Sequence, residues 1–242
     1  MNDYLLDPLA GCRAYLEAHS HKAGHKDKSA LPIITLSREA GAGAVTIGAL
    51  VAELLNQDNP EWSGPPWTVF DKNLVQKVIE DHKLPETLKR FLPEDVLPGL
   101  VSAVEETLGL HPSGWQLAEQ TSETLFRLAR LGNVILVGRG SNLITAKLKP
   151  ALHIRLVAPM EQRVAHTAEF HGLTLNEATA YVKKADQGRR RYVKRYFNAE
   201  IGDPLNYTLT INTGRMDCQA SAHLIAGTVR KMVVRYPETS LR

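Results

Sequence analysis

Residues 33–48, Ile-Ile-Thr-Leu-Ser-Arg-Glu-Ala-Gly-Ala-Gly-Ala-Val-Thr-Ile-Gly, limit this chain to few folds. Ile33, Ile34 and Leu36 make a short apolar run, as in a parallel strand covered on both faces. Gly41 and Gly43 allow a tight turn and close approach of the backbone to a ligand. From Ala44 onward, Ile47, Leu50, Val51, Leu54 and Leu55 recur at helical spacing, with Asn56 as the expected stop. A strand, a glycine turn and a helix N-terminus bring free N–H groups and a positive dipole end to one point, which suits phosphate. The plain alternative is a glycine turn in an ordinary βα unit with no ligand.

The stretch departs from the full phosphate loop, G-x-x-x-x-G-K-[ST]. With Gly43 as the last glycine, Ala44 stands at the lysine position, Val45 at the Ser/Thr position and Arg38 at the first glycine. The amide cradle survives this, while a cation and a magnesium-binding hydroxyl leave their usual places. Arg38 and Thr46 are the candidates to replace them. The same residues also nearly fit G-x-G-x-x-G, with Thr46 at the third glycine.

The 242 residues are enough for one α/β domain with insertions, and 43% hydrophobic with 23% charged residues is ordinary for a globular protein. A net charge of +3 is too mild to predict a nucleic-acid binder. Two cysteines, Cys12 and Cys218, give no disulfide framework and fit a reducing cytoplasm. Asp3 and Asp7 stand where a signal peptide would be basic, and no apolar run is long enough for a membrane span.

Residues 1–30 read as a short helix opened by Asp7-Pro8, then a polar linker. The helix would dock on the domain or on a second subunit, giving a homodimer. His19, His21 and His25 in the linker lack a metal-ligand pattern, so no metal site is predicted. The domain proper is expected over 31–242. Its second strand is Trp67 to Phe70, ended by Asp71. Asp71 is either the cap of a helix carrying Leu74, Val75, Val78 and Ile79, or a carboxylate at the ligand-binding edge of the sheet. Residues 83–131 read as a helical insertion, broken by Pro85, Pro93 and Pro98 and ending in a clear helix from Ser113 to Leu131 with Gly132 as its stop.

Asn133 to Val137 is the most apolar strand and runs into Gly138-Arg139-Gly140. An arginine between glycines at the end of a buried strand points to an anion, with a salt bridge to a nearby loop as the alternative. Leu152 to Val157 alternates and reads as a less buried strand. Pro159 opens a helix that stops near Gly172, and Thr174 with Glu177 forms a capping box for the next. That second helix sets Lys183, Lys184, Arg189, Arg190, Arg191, Lys194 and Arg195 against Asp186 alone. It is a solvated face, an RNA surface, or a lid that folds over a triphosphate. Tyr207 to Ile211 is the fifth strand, and Asp217 caps a last helix with Leu224, Ile225, Val229, Met232 and Val233 inside.

In this order the pieces resemble the cytidylate kinase-like family of P-loop nucleoside-monophosphate kinases, in its bacterial branch. The matching residues are Thr35 to Glu39 with Gly41-Ala42-Gly43 and Ile47-Gly48, Phe70-Asp71-Lys72 with Leu74, and Val137 to Gly140. The arginine run, Gly202-Asp203-Pro204 with Asn206-Tyr207, and Ile211-Asn212-Thr213 match as well. The resemblance implies a five-stranded parallel sheet flanked by helices, a helical acceptor-binding insertion and an arginine-rich lid over about 174–204. It implies transfer of the ATP γ-phosphoryl group to a nucleotide with Mg2+. Ser37, Arg38, Gly41, Ala42, Gly43, Ala44, Val45 and Thr46 would hold ATP. Asp71 and Arg139 would face the acceptor, and Arg189, Arg191 and Arg195 would be lid arginines.

The bacterial branch tends to carry glycine and arginine where this chain has Ala44 and Val45. A nucleotide-binding member without catalysis is therefore a second reading. A Rossmann-type NAD protein and an RNA-binding protein using residues 183–195 are weaker ones.

Overall fold

The computed structural model describes residue 15 and residues 31–57, 65–71, 113–138 and 140–235. The expected N-terminal helix, the linker histidines, the helix after Asp71, residues 83–112 of the insertion and Arg139 lie outside the described residues.

The elements alternate as expected. Strand β1 is Ile33–Arg38 and helix α1 is Ala44–Gln57; β2 is Thr68–Phe70 and α2 is Ser113–Leu131. Then come β3, Val134–Val137, and the short α3, Ser141–Ile144. β4 is Ala151–Val157, α4 is Met160–His171 and α5 is Leu175–Phe197. A 3₁₀ turn at Pro204–Asn206 precedes β5, Leu209–Asn212, and α6, Cys218–Arg235. All pairings are parallel, in the order β2-β3-β1-β4-β5.

The sheet is closed differently on its two faces. Ile34, Leu36, Ile135, Val137, Ile154 and Leu156 are packed with α1 and α6 in one apolar layer. Alternate residues point the other way. There Ile33, Val134, Leu136 and Phe70 meet Leu125, Leu128 and Ala129 of α2, with Ile144 of α3. Tyr15 is fully buried on this side, edge-on to Phe70 at 5.5 Å, with its hydroxyl near the Leu128 and Gly132 carbonyls. The N-terminal segment therefore meets the domain at Tyr15.

Several local expectations shift. α1 runs through Gln57, because the Asn56 side chain does other work: it accepts from the Trp67 amide at 2.7 Å and donates to the Trp67 carbonyl at 3.1 Å. That clamp leaves Trp67 outside β2. Tyr207 closes the 3₁₀ turn through its amide to Pro204, so β5 begins at Leu209. Leu224 is 42% exposed, since Ala222, Ile225, Ala226 and Val229 form the inner stripe of α6. The capping box at Thr174 and Glu177 is present, with Glu177 held below the usual carboxylate range by the Thr174 hydrogen bonds.

Candidate functional site

The chain leaves β1 at Arg38, turns at Gly41 (φ +79°) and Gly43 (φ +76°), and enters α1 at Ala44. A Cβ at Gly41 would collide with the Arg163 carbonyl, so no other residue fits this turn. The loop's carbonyls are tied away from its centre. Ala40 O accepts from Arg163 Nη1 at 3.2 Å, Gly41 O lies 2.9 Å from His166 Nδ1, and Ala42 O accepts from the Thr213 hydroxyl at 3.3 Å. The first α1 amide bonded back into the turn is that of Ile47, to Gly43 O at 2.9 Å. The amides of Ala44, Val45 and Thr46 precede it, at the positive end of the helix. This is an amide cradle for phosphate.

The cradle opens into a cavity of about 600 Å³. Ser37, Arg38 and the whole loop through Thr46 line it, together with Asp71, Gly138, Gly140 and Asn142 from the sheet's carboxyl edge. α4 and α5 form the opposite wall, with His166, Phe170, His171, Tyr181, Arg189 and Tyr192. The predicted loop residues and Asp71 thus share one space. Of the three lid arginines only Arg189 borders the cavity; Arg191 and Arg195 are exposed on α5, and Arg195 lies over the Tyr196 ring at 5.7 Å.

One arginine bears on the missing loop cation. The Arg38 guanidinium crosses to the end of β3 and fills the place a side chain would need at Gly138 (φ +83°). The left-handed φ at Gly138 favours glycine, and the absence of a side chain leaves that guanidinium its place. Val45, at the hydroxyl position of the full motif, is 56% exposed on the rim and offers neither charge nor hydroxyl.

Sequence reasoning passed over the residues that fix α5. Asp186, the lone acid within the basic run 183–195, accepts from the Ala40 amide at 2.7 Å, from Arg163 Nη1 at 2.6 Å and from Arg189 Nη1 at 3.1 Å. Arg163 also donates from Nε to the Ala158 carbonyl at 2.9 Å and lies 3.4 Å from Glu39. These contacts pin α4 and α5 to the loop, helped by Ala40, Val164, Ala178 and Val182 in a small apolar cluster. The readable signal was Asp186 three residues before Arg189 on one helix. Arg163 carried no signal of its own.

Cys218 at the start of α6 lies against Gly43, where a Cβ would come within 3.2 Å of its sulfur. Burial, with Asp217 beside it, pushes that thiol above its ordinary value, so it packs as a neutral group.

A parallel sheet of order 2-3-1-4-5 with a glycine loop after β1 defines the class: a P-loop kinase-like α/β protein. The order also sets aside the dinucleotide-binding reading. In that fold β2 lies next to β1, whereas here β3 separates them and Asp71 ends an edge strand. The chain belongs to the cytidylate kinase-like family, whose model matches residues 33–215. It is 28% identical over 138 residues to a cytidylate kinase of Methanothrix thermoacetophila, covering 54% of this chain and 77% of that one. A 27% identical match to a uronate isomerase of Corynebacterium glutamicum covers 50% of this chain and spans only 23% of the isomerase. An uncharacterized protein from Eubacterium ventriosum shares the fold, with TM-score 0.56 and 19% identity over 82% of this chain and 98% of that one. Among the described residues no helix is long and apolar enough to cross a membrane, and no cluster of potential metal ligands occurs.

Proposed function

We propose that the protein transfers the γ-phosphoryl group of ATP to a nucleoside monophosphate in the cytoplasm. The observation that carries this reading is that one cavity joins the loop amides, Asp71 at the sheet edge, and Arg189. Gly41 to Thr46 would hold the donor phosphates through backbone N–H groups, with Arg38 and Arg189 supplying the charge that the lysine supplies elsewhere. The Thr46 hydroxyl would be the protein's ligand to Mg2+, which keeps several waters in such sites. Magnesium bound there would neutralise charge on the phosphates. Phe170 and Tyr181, 71% and 46% exposed on the far wall, offer rings for the donor base to stack on. Asp71 and Arg139 would meet the acceptor. Catalysis of this type is positioning plus charge stabilisation, with no covalent step on the protein.

The second reading is nucleotide binding without turnover, and Val45 exposed where the full motif has a hydroxyl favours it. One experiment separates the two: ADP release from ATP and Mg2+ against a panel of nucleoside monophosphates, with Arg139→Ala and Arg189→Ala as controls. Acceptor-dependent release, reduced by about 10³-fold or more in the variants, is expected for a kinase. ATP binding without release selects the second reading, and absence of both removes the proposal.

A further inference from the structure

On the sheet face opposite α1, β1 and β4 carry polar residues in register: Thr35 beside His153 and Ser37 beside Arg155. Arg155 is the anomaly. It is 8% exposed, and its contacts are the Ser37 hydroxyl, 3.0 Å from Nη1, and the Tyr207 ring, 5.8 Å from its guanidinium carbon. No carboxylate among the described residues pairs with it. A guanidinium keeps its charge, and burying it without a counter-ion is costly. Arg155 does not border the cavity; Ser37 does. Its charge therefore reaches the cavity through that hydroxyl.

The proton count gives Ser37 a direction. Ser37 Oγ accepts from Arg155 and keeps its own proton to donate. The Tyr207 hydroxyl lies 2.9 Å from the Ile201 carbonyl and 3.2 Å from Ser37 Oγ. The carbonyl can only accept, so the single phenolic proton belongs there. The serine proton is left to point at Tyr207 or into the cavity. Its face matters too. Leu36 points to α1, so Ser37 points away from the cradle's helix, towards the side where Ile144 of α3 packs and where Asn142 borders the cavity. An anion met there is a different one from the donor phosphates over α1, which moves Ser37 from the expected ATP set to the acceptor side.

We propose that Ser37 donates a hydrogen bond to the phosphate of the acceptor nucleoside monophosphate, and that Arg155 is the positioning residue that fixes and polarises it. This rests on the kinase reading and deepens it: the acceptor is recognised as an anion from inside the sheet, by a charge carried on β4.

The test is calorimetric titration of the full chain and its Ser37→Ala, Arg155→Lys and Arg155→Met variants. The probes are ATP with Mg2+, CMP with cytidine, and AMP with adenosine. Wild-type protein should bind one monophosphate more tightly than its nucleoside. Ser37→Ala and Arg155→Met should each weaken that monophosphate about 10- to 100-fold, the span of a hydrogen bond to a charged group, with nucleoside affinity unchanged and ATP weakened by less than the monophosphate. Arg155→Lys should recover part of the loss. A merely structural role would weaken nucleoside and nucleotide alike, and that result overturns the assignment. So does an unchanged monophosphate-to-nucleoside ratio in folded Ser37→Ala, which decides the matter even where Arg155→Met fails to fold. Binding of ATP but of neither monophosphate overturns this inference and leaves the nucleotide-binding reading standing. Failure to bind ATP as well removes both.

Discussion

β1 and β4 are one pair of strands with two opposite faces. Towards α1 and α6, Leu36 and Ile154 are completely buried among apolar neighbours. One residue along each strand, towards α2 and α3, Thr35 lies 2.9 Å from His153 Nδ1 and Ser37 meets Arg155. Burying a large aliphatic side chain contributes about 1.5–3 kcal/mol, while a neutral hydrogen bond contributes about 1 kcal/mol net. Cohesion therefore belongs to the first face. The second gives up part of it to carry groups that act at the sheet's carboxyl edge, where such folds bind ligands.

The largest effect expected follows directly. Leu36→Ala should cost about 2–5 kcal/mol in denaturant unfolding, since it leaves a cavity under α1. Thr35→Val, one residue away and equally buried, should cost about 1 kcal/mol. Equal losses would break the contrast between the faces.

A similar contrast holds between the two ends of the site. The loop end is built from backbone; the α5 end is held by charge. Asp186→Ala should leave Arg163, whose side chain is 10% exposed, with Glu39 as its remaining carboxylate at 3.4 Å. The expected loss is about 1–3 kcal/mol in stability, together with weaker ATP binding, because the Ala40 amide loses its acceptor and α5 its tie to the loop. Asp186→Asn sharpens this, since it can still accept from Ala40 but no longer offsets Arg163. An Asn variant as stable as wild type would show that geometry alone holds α5 on the loop.

What could be read beforehand divides along the same line. The strands, the glycine turn, the Thr174 cap and the helix ends at Gly132 and Gly172 are local, set by periodicity and by residues a few places apart. The family resemblance implied five parallel strands, but neither it as stated nor any spacing in the chain put β3 between β2 and β1. Cross-strand and cross-helix partners were illegible. Ser37 and Arg155 are 118 positions apart, and Ala40 and Asp186 are 146 apart. Nothing local marks Arg155 as different from any arginine on an alternating strand. Arg191 and Arg195 show the converse. They share a run with Arg189, and the helical period alone turns them out to solvent.

The smallest effect lies on the polar face and depends on pH. Burial lowers the His153 pKa below its ordinary 6.5, because the imidazolium would lose its water. The folded chain therefore binds this proton less readily than the unfolded chain. The stability held by neutral His153 is complete above about pH 6.5, and it declines as pH falls from there towards the lower folded-state value. Wild-type protein should unfold at lower denaturant at pH 5.5 than at pH 7.5, and His153→Gln should flatten that difference while leaving the slope with denaturant unchanged. The polar face would then titrate while Leu36 and Ile154, one residue along each strand, do not respond. A pH dependence identical in wild type and His153→Gln would place its origin in other groups and detach His153 from the balance of the two faces.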